Sequence, residues 1–163
     1  MIPIDLPEQC LNVGIGQWKV AQSPVGLRAI LGSCVGVALY DRFGKVGGLA
    51  HILLPDSRGS KDHAGRYADT AIPAMIDEFC RLRGAGIRSS LVARIAGGAS
   101  MFETTSTLAI GECNHEAVLR ILGEMKISVV ASDIGGELGR NLTFDTRNGK
   151  IFVKKTGGRL YEI

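Results

Sequence analysis

Apolar positions along the chain fall into short alternating runs broken by glycine, and into two longer stripes with helical spacing. Residues 11–15 and 18–22 read as short strands, Ser23-Pro24-Val25-Gly26 as a turn, and 27–31 as a third strand. Val35, Val37 and Leu39 alternate with small residues, a strand pattern. A turn at 41–44 follows, then a strand over 46–54 that stops at Pro55. Residues 56–66 are polar and glycine-rich, which predicts a loop. The spacing of Ile72, Met75, Ile76 and Phe79 predicts a helix over 69–83, with Pro73 in its first turn and Gly84 and Gly86 past its end. A buried-type strand over 90–96 runs into Gly97-Gly98-Ala99-Ser100-Met101-Phe102. A second amphipathic helix spans 111–125, and a strand over 127–132 ends at Asp133-Ile134-Gly135-Gly136. Asn148-Gly149 predicts a type I′ turn joining strands at 142–146 and 150–155. The order is not a regular βαβα alternation. It predicts an α+β fold, a layered sandwich of a mixed, mostly antiparallel sheet with two main helices, in one domain over 1–163.

Composition narrows the classes. The 163 residues suit one core, and 45% apolar with 21% charged residues is ordinary for a soluble globular chain. A formal charge of +3 without a Lys/Arg run argues against nucleic-acid binding, though a mildly basic surface can help meet an acidic protein partner. No apolar run approaches the ~20 residues that cross a bilayer, and the first residues lack the pattern of a signal peptide. The expectation is a cytoplasmic protein that does not insert in membranes. Its four cysteines, Cys10, Cys34, Cys80 and Cys113, are then expected to be reduced, and none forms a C-x-x-C pair that would suggest zinc.

One hairpin brings chemistry together. If the turn at 41–44 is centred between Arg42 and Phe43, Cys34 faces His51 directly, with Cβ atoms roughly 5 Å apart. A neighbouring imidazolium stabilises the thiolate, the nucleophilic form of a cysteine, and can later protonate a leaving amine. Gly32-Ser33 precede Cys34, and backbone N–H groups converging at such a turn can hold an oxyanion. Cys80 and Cys113 read as helix residues without a comparable partner, and His63 as a loop residue. Gly97-Gly98 lacks the lysine and spacing of a phosphate loop. It reads as a tight turn beside the active site, with Gly97, Gly98, Ser100 and Phe102 as substrate or partner contacts.

Leu31-Gly32-Ser33-Cys34-Val35-Gly36-Val37-Ala38-Leu39-Tyr40-Asp41 resembles the nucleophile segment of the CheD family of chemoreceptor glutamine deamidases. Gly48-Leu49-Ala50-His51-Ile52-Leu53-Leu54-Pro55 resembles that family's histidine segment. Gly65-Arg66-Tyr67-Ala68-Asp69, residues 95–102, Ile110-Gly111 and Asp133-Ile134-Gly135-Gly136 continue the likeness in family order. The resemblance implies a fold related to the deamidase domain of cytotoxic necrotizing factor toxins. It implies deamidation of selected glutamines on methyl-accepting chemotaxis receptors, with Cys34 as nucleophile, His51 as base, a thioester intermediate and no cofactor or metal. The partner would be the receptor's cytoplasmic helical bundle, met by a monomer. Family members typically carry a threonine about six residues before the nucleophile, where this chain has Arg28. That departure leaves a backbone carbonyl as a candidate to orient His51. It also supports an alternative role, as regulatory partner of a CheC-type response-regulator phosphatase with weak or no deamidase activity.

Overall fold

The computed structural model describes residues 3–100 and 109–163. Within them, strands β1 (Cys10–Asn12), β3 (Gly26–Leu31), β8 (Arg140–Asp145), β9 (Lys150–Lys155) and β10 (Leu160–Glu162) form one sheet in the order β1-β3-β8-β9-β10. Strands β2 (Trp18–Gln22), β4 (Val35–Asp41), β5 (Val46–Ile52), β6 (Val92–Gly97) and β7 (Ser128–Ile134) form a second, in the order β2-β5-β4-β6-β7. Only the β1–β3 and β6–β7 pairs are parallel among the named strands. The expected mixed, mostly antiparallel pairing holds, with the strands divided between two sheets. Both predicted helices form, α1 at Ala68–Arg83 and α2 at Ile110–Glu124.

The alternation on β4 explains the layering. Val35, Val37 and Leu39 join Ile72, Met75, Ile76 and Phe79 of α1 and Val118, Ile121 and Leu122 of α2 in one core. Residues between them on β4, Ala38 and Tyr40, face the other way and pack with Leu27, Leu31, Leu142 and Phe144 of the first sheet. Small residues dominate that side because two sheets approach there: a Cβ on Gly47 would meet the Phe144 ring at 2.7 Å. The layers are therefore helices, second sheet, first sheet, and all seven residues of β4 are buried.

The β8–β9 hairpin differs from expectation. The Asn148-Gly149 turn has Asp145 paired with Lys150, so four residues intervene, and only Gly149 of the two is left-handed. The Asp145 carboxylate accepts from the Arg147 backbone N–H at 2.9 Å and the Asn148 amide at 3.2 Å, which favours this longer form. β10 is an addition, three residues too short to announce itself by periodicity.

The sheets are joined at one end by charge. Arg140 on β8, with no exposed side-chain surface, donates to the Asp133 carboxylate of β7 at 2.6 Å and to the Gly135 carbonyl. Tyr161 of β10 donates to the other Asp133 oxygen. Removing one partner of such a pair strands a charge in low dielectric, which typically costs about 3–5 kcal/mol. Arg140→Ala should therefore lower the urea midpoint by several times the effect of Arg120→Ala, whose exposed partner Glu124 is 4.0 Å away. Equal midpoints for the two variants would contradict this role.

Candidate active site

Cys34 and His51 lie on the face of the second sheet that meets the first. The hairpin places His51 opposite Gly36, and Val35 opposite Ile52, so the predicted direct Cys34–His51 pairing is corrected by two positions. The cause is the turn. Asp41 pairs with Val46, the Asp41 carboxylate caps the N–H groups of Phe43 and Gly44 at 3.0 and 3.2 Å, and Lys45 takes a left-handed φ of 51°. A shift by two preserves the face. Cys34 thus sits one step before β4 as the diagonal neighbour of His51, a geometry in which side chains still reach each other. Both are buried, Cys34 at 5% and His51 at 2% exposure, whereas Cys10, Cys80 and Cys113 are all more open.

His51 is held on one side only. Its Nδ1 is 2.9 Å from the Val13 carbonyl, which can only accept, so Nδ1 carries the proton. Its Nε2 is buried and has no hydrogen-bond partner among the described residues. The Val13 carbonyl is itself fixed, since the Val13 N–H donates to the Arg28 carbonyl at 2.7 Å. The His51 backbone is clasped as well: its N–H donates to Gln17 and its carbonyl accepts from Gly16. Arg28 therefore serves through its main chain, and its side chain points to solvent from the outer face of β3. The backbone carbonyl named as a candidate to orient His51 is that of Val13.

Electrostatics favour the neutral forms of both groups. Burial pushes the Cys34 thiol above its ordinary value, an effect its own backbone N–H offsets only in part. Burial likewise pulls the His51 imidazole below its ordinary value, against the hydrogen bond to Val13. The resting pair is a thiol beside a bare Nε2, without a hydrogen bond between them, rather than a thiolate–imidazolium ion pair.

The turn carrying Cys34 is gripped by its carbonyls. Gly32 O accepts from Ala99 N at 3.0 Å, Cys34 O from Gly98 N at 2.8 Å, and Ser33 O from the Asn114 side chain at 3.2 Å. None of the N–H groups of Gly32, Ser33 and Cys34 donates to a backbone carbonyl among the described residues. Gly97 and Gly98 are thus holders of this turn. Gly97 has φ 112°, and a Cβ there would collide with the Cys34 carbonyl. Ser100 is exposed, with its N–H on the Gly136 carbonyl at 2.8 Å. Phe102 lies outside the described residues.

Asn114 is the residue that reading the sequence missed. It is fully buried on α2, and its amide donates to Ser33 O and, at 3.0 Å, to Leu53 O. One side chain therefore ties the residue before Cys34 to the strand end just after His51. Its signal in the sequence was a polar residue on the stripe of Ala117, Val118 and Ile121, where an amphipathic helix normally places apolar ones.

The family model described as "CheD chemotactic sensory transduction" matches residues 53–155. A Desulforamulus reducens protein named "Probable chemoreceptor glutamine deamidase CheD" is 46% identical, over 94% of this chain and 95% of its own length. A Thermotoga maritima protein named "Chemoreceptor glutamine deamidase CheD" is 42% identical, over 90% of this chain and 92% of its own. A solved Neisseria meningitidis protein overlays 79% of this chain and 63% of its own, with a TM-score of 0.44 and 11% identity.

Asn114→Ala would leave two carbonyls facing a dry interior, a cost of about 1–3 kcal/mol each way of counting buried unsatisfied groups. The expected result is a lower thermal midpoint together with faster amide exchange at residues 33–36 and 51–53. A loss of stability spread evenly over the chain would contradict the tie.

Proposed function

The chain belongs to the CheD family, and from that premise we propose that it deamidates glutamine side chains of chemoreceptors, with Cys34 as nucleophile and His51 as base. The observation that carries the reading is the buried Nε2 of His51, without a hydrogen-bond partner among the described residues, on the same sheet face as the buried thiol. A nitrogen so placed is a base without a competing hydrogen bond.

The chemistry follows from the atoms. His51 Nε2 takes the Sγ proton as sulfur attacks the glutamine carboxamide carbon, and the carbonyl π electrons move onto oxygen. The N–H groups of residues 32–34 are assigned as donors to that developing charge, and a positioned donor of this kind contributes roughly 3 kcal/mol. The Nε2 proton then passes to the amide nitrogen, which leaves as ammonia, and a thioester remains. Water attacks the thioester and gives a proton to Nε2. Collapse releases glutamate and returns the proton to sulfur. Water is the only co-reactant, and atoms and charge balance without a cofactor or metal. A neutral thiol–imidazole pair suits this scheme, since proton transfer and attack are coupled and no charge is buried beforehand.

The second reading is a regulatory binding partner of a CheC-type phosphatase. It draws on the absence of a hydrogen bond from Nε2 to the thiol, which describes a pair not poised until something engages it. The site then serves as a receptacle rather than a catalyst.

The test is mass spectrometry of a folded receptor cytoplasmic fragment after incubation with the wild-type chain, Cys34→Ala and His51→Asn. The reading expects conversion of specific glutamines to glutamate by the wild type, none by Cys34→Ala, and a rate lowered by ~100-fold or more for His51→Asn. Conversion by Cys34→Ala would overturn the nucleophile assignment. No conversion by any form would favour the phosphatase partner.

A further inference from the structure

Among the described residues no helix packs on the outer face of the first sheet, and the chain covers only part of it. The first described residues lie over the end far from Cys34, where Asp5 meets Arg147 at 3.2 Å and Pro3, Ile4 and Phe152 line one hollow. Toward the nucleophile turn the described chain leaves the face open apart from Leu6, which lines the hollow that holds Arg28, Asn141, Lys154 and Arg159. There the register puts Ile30, Asn141, Lys154 and Leu160 in one row across four strands, a span of ~14 Å at about 4.8 Å per strand. Ile30 is 74% exposed at one end of this row, more than any other large apolar side chain among the described residues.

The charge around the row has one sign. Arg28, Lys154 and Arg159 are exposed, and none makes an ion pair among the described residues. Lys155 lies beside them, 3.6 Å from Asp133. Two hollows share Asn141 and Lys154. The first, of about 470 Å³, reaches Gly32 in the nucleophile turn, the second holds Arg28 and Arg159, and no carboxylate lines either. An exposed Ile30 at one end of a row of cations that no carboxylate offsets favours, by charge complementarity, an acidic protein surface carrying an apolar side chain. The row's continuity with Gly32 means that whatever docks there is held against the turn that carries Cys34.

We propose that this face docks a carboxylate-bearing surface of the protein substrate, seating an apolar side chain on Ile30 and acidic side chains on Arg28, Lys154 and Arg159. The proposal rests on the deamidase reading for the identity of that substrate. It supplies what the buried pair lacks: a single glutamine side chain offers little to select, whereas flanking charge steers encounter and sets register. The formal charge of the chain, +3, is modest, but its unpaired cations on this sheet are gathered beside the site.

The test separates docking from chemistry. Binding of a receptor cytoplasmic fragment is titrated against the Cys34→Ala chain, alone and with Lys154→Glu plus Arg159→Glu or with Ile30→Asp, from 50 to 500 mM salt. Thermal midpoints check that each variant is folded; these positions are exposed and make no internal ion pair. The proposal expects the parent's Kd to weaken steeply with salt. It expects the double reversal to weaken Kd by ~10-fold or more at low salt and to flatten the salt slope, and Ile30→Asp to weaken binding without flattening it. Unchanged Kd and slope in folded variants would overturn it. Conversion of the fragment is scored in parallel with Cys34 present. Binding that depends on these residues without conversion sinks the deamidase reading and keeps the surface. Conversion with unaltered Kd sinks the surface and keeps the reading. A fragment neither bound nor converted sinks both.

Discussion

A single hydrogen bond, from His51 Nδ1 to the Val13 carbonyl, fixes what the rest of the site can do. The imidazole lies in the dry layer between two sheets, where an untethered ring could present either nitrogen and where charge is penalised. The bond commits one nitrogen as donor and leaves the other as a lone pair that no described residue holds. That outcome needs both sheets. His51 comes from the second, and the Val13 carbonyl is aimed by a bond from its own N–H to Arg28 on the first. Arg140, Asp133 and Tyr161 tie the sheets at the edge of the same layer.

The turn that carries Cys34 is positioned by the complementary device. It is held through carbonyls, by Gly98, Ala99 and Asn114, and among the described residues its N–H groups donate to no backbone carbonyl. A turn held through its N–H groups would be as rigid and would offer nothing to an oxyanion. Gly97 is required for this, because the loop after β6 passes so close to Cys34 that no side chain fits. Asn114 extends the grip to Leu53, so helix α2 bears on both halves of the pair.

Much of this was legible in the residues, for reasons that can be named. Both helices were readable to within about a turn because Ile72, Met75, Ile76, Phe79 and Val118, Ile121, Leu122 repeat at helical spacing and are all buried. Cys34 and His51 were placed on one face correctly, since a register error of two leaves the face intact, yet they are diagonal rather than opposed. The error came from Asp41, whose side chain widens the turn through bonds to two backbone N–H groups that periodicity does not encode. The division into two sheets was hidden because alternation shows that both sides of β4 are covered without showing by what. Val13 and Arg28 act through main-chain atoms, which every residue type possesses, so nothing in their identity marks them. The Arg28 side chain faces solvent while its carbonyl supports Val13.

The most direct measurement is nitrogen-15 NMR of the His51 ring as a function of pH. Near neutrality the account predicts a neutral ring with the proton on Nδ1 and a bare Nε2. It also predicts that protonation of Nε2 occurs below the ordinary imidazole value of about 6.5, because burial opposes the charge. A proton on Nε2 in the neutral ring, or an imidazolium persisting above the ordinary value, would contradict it.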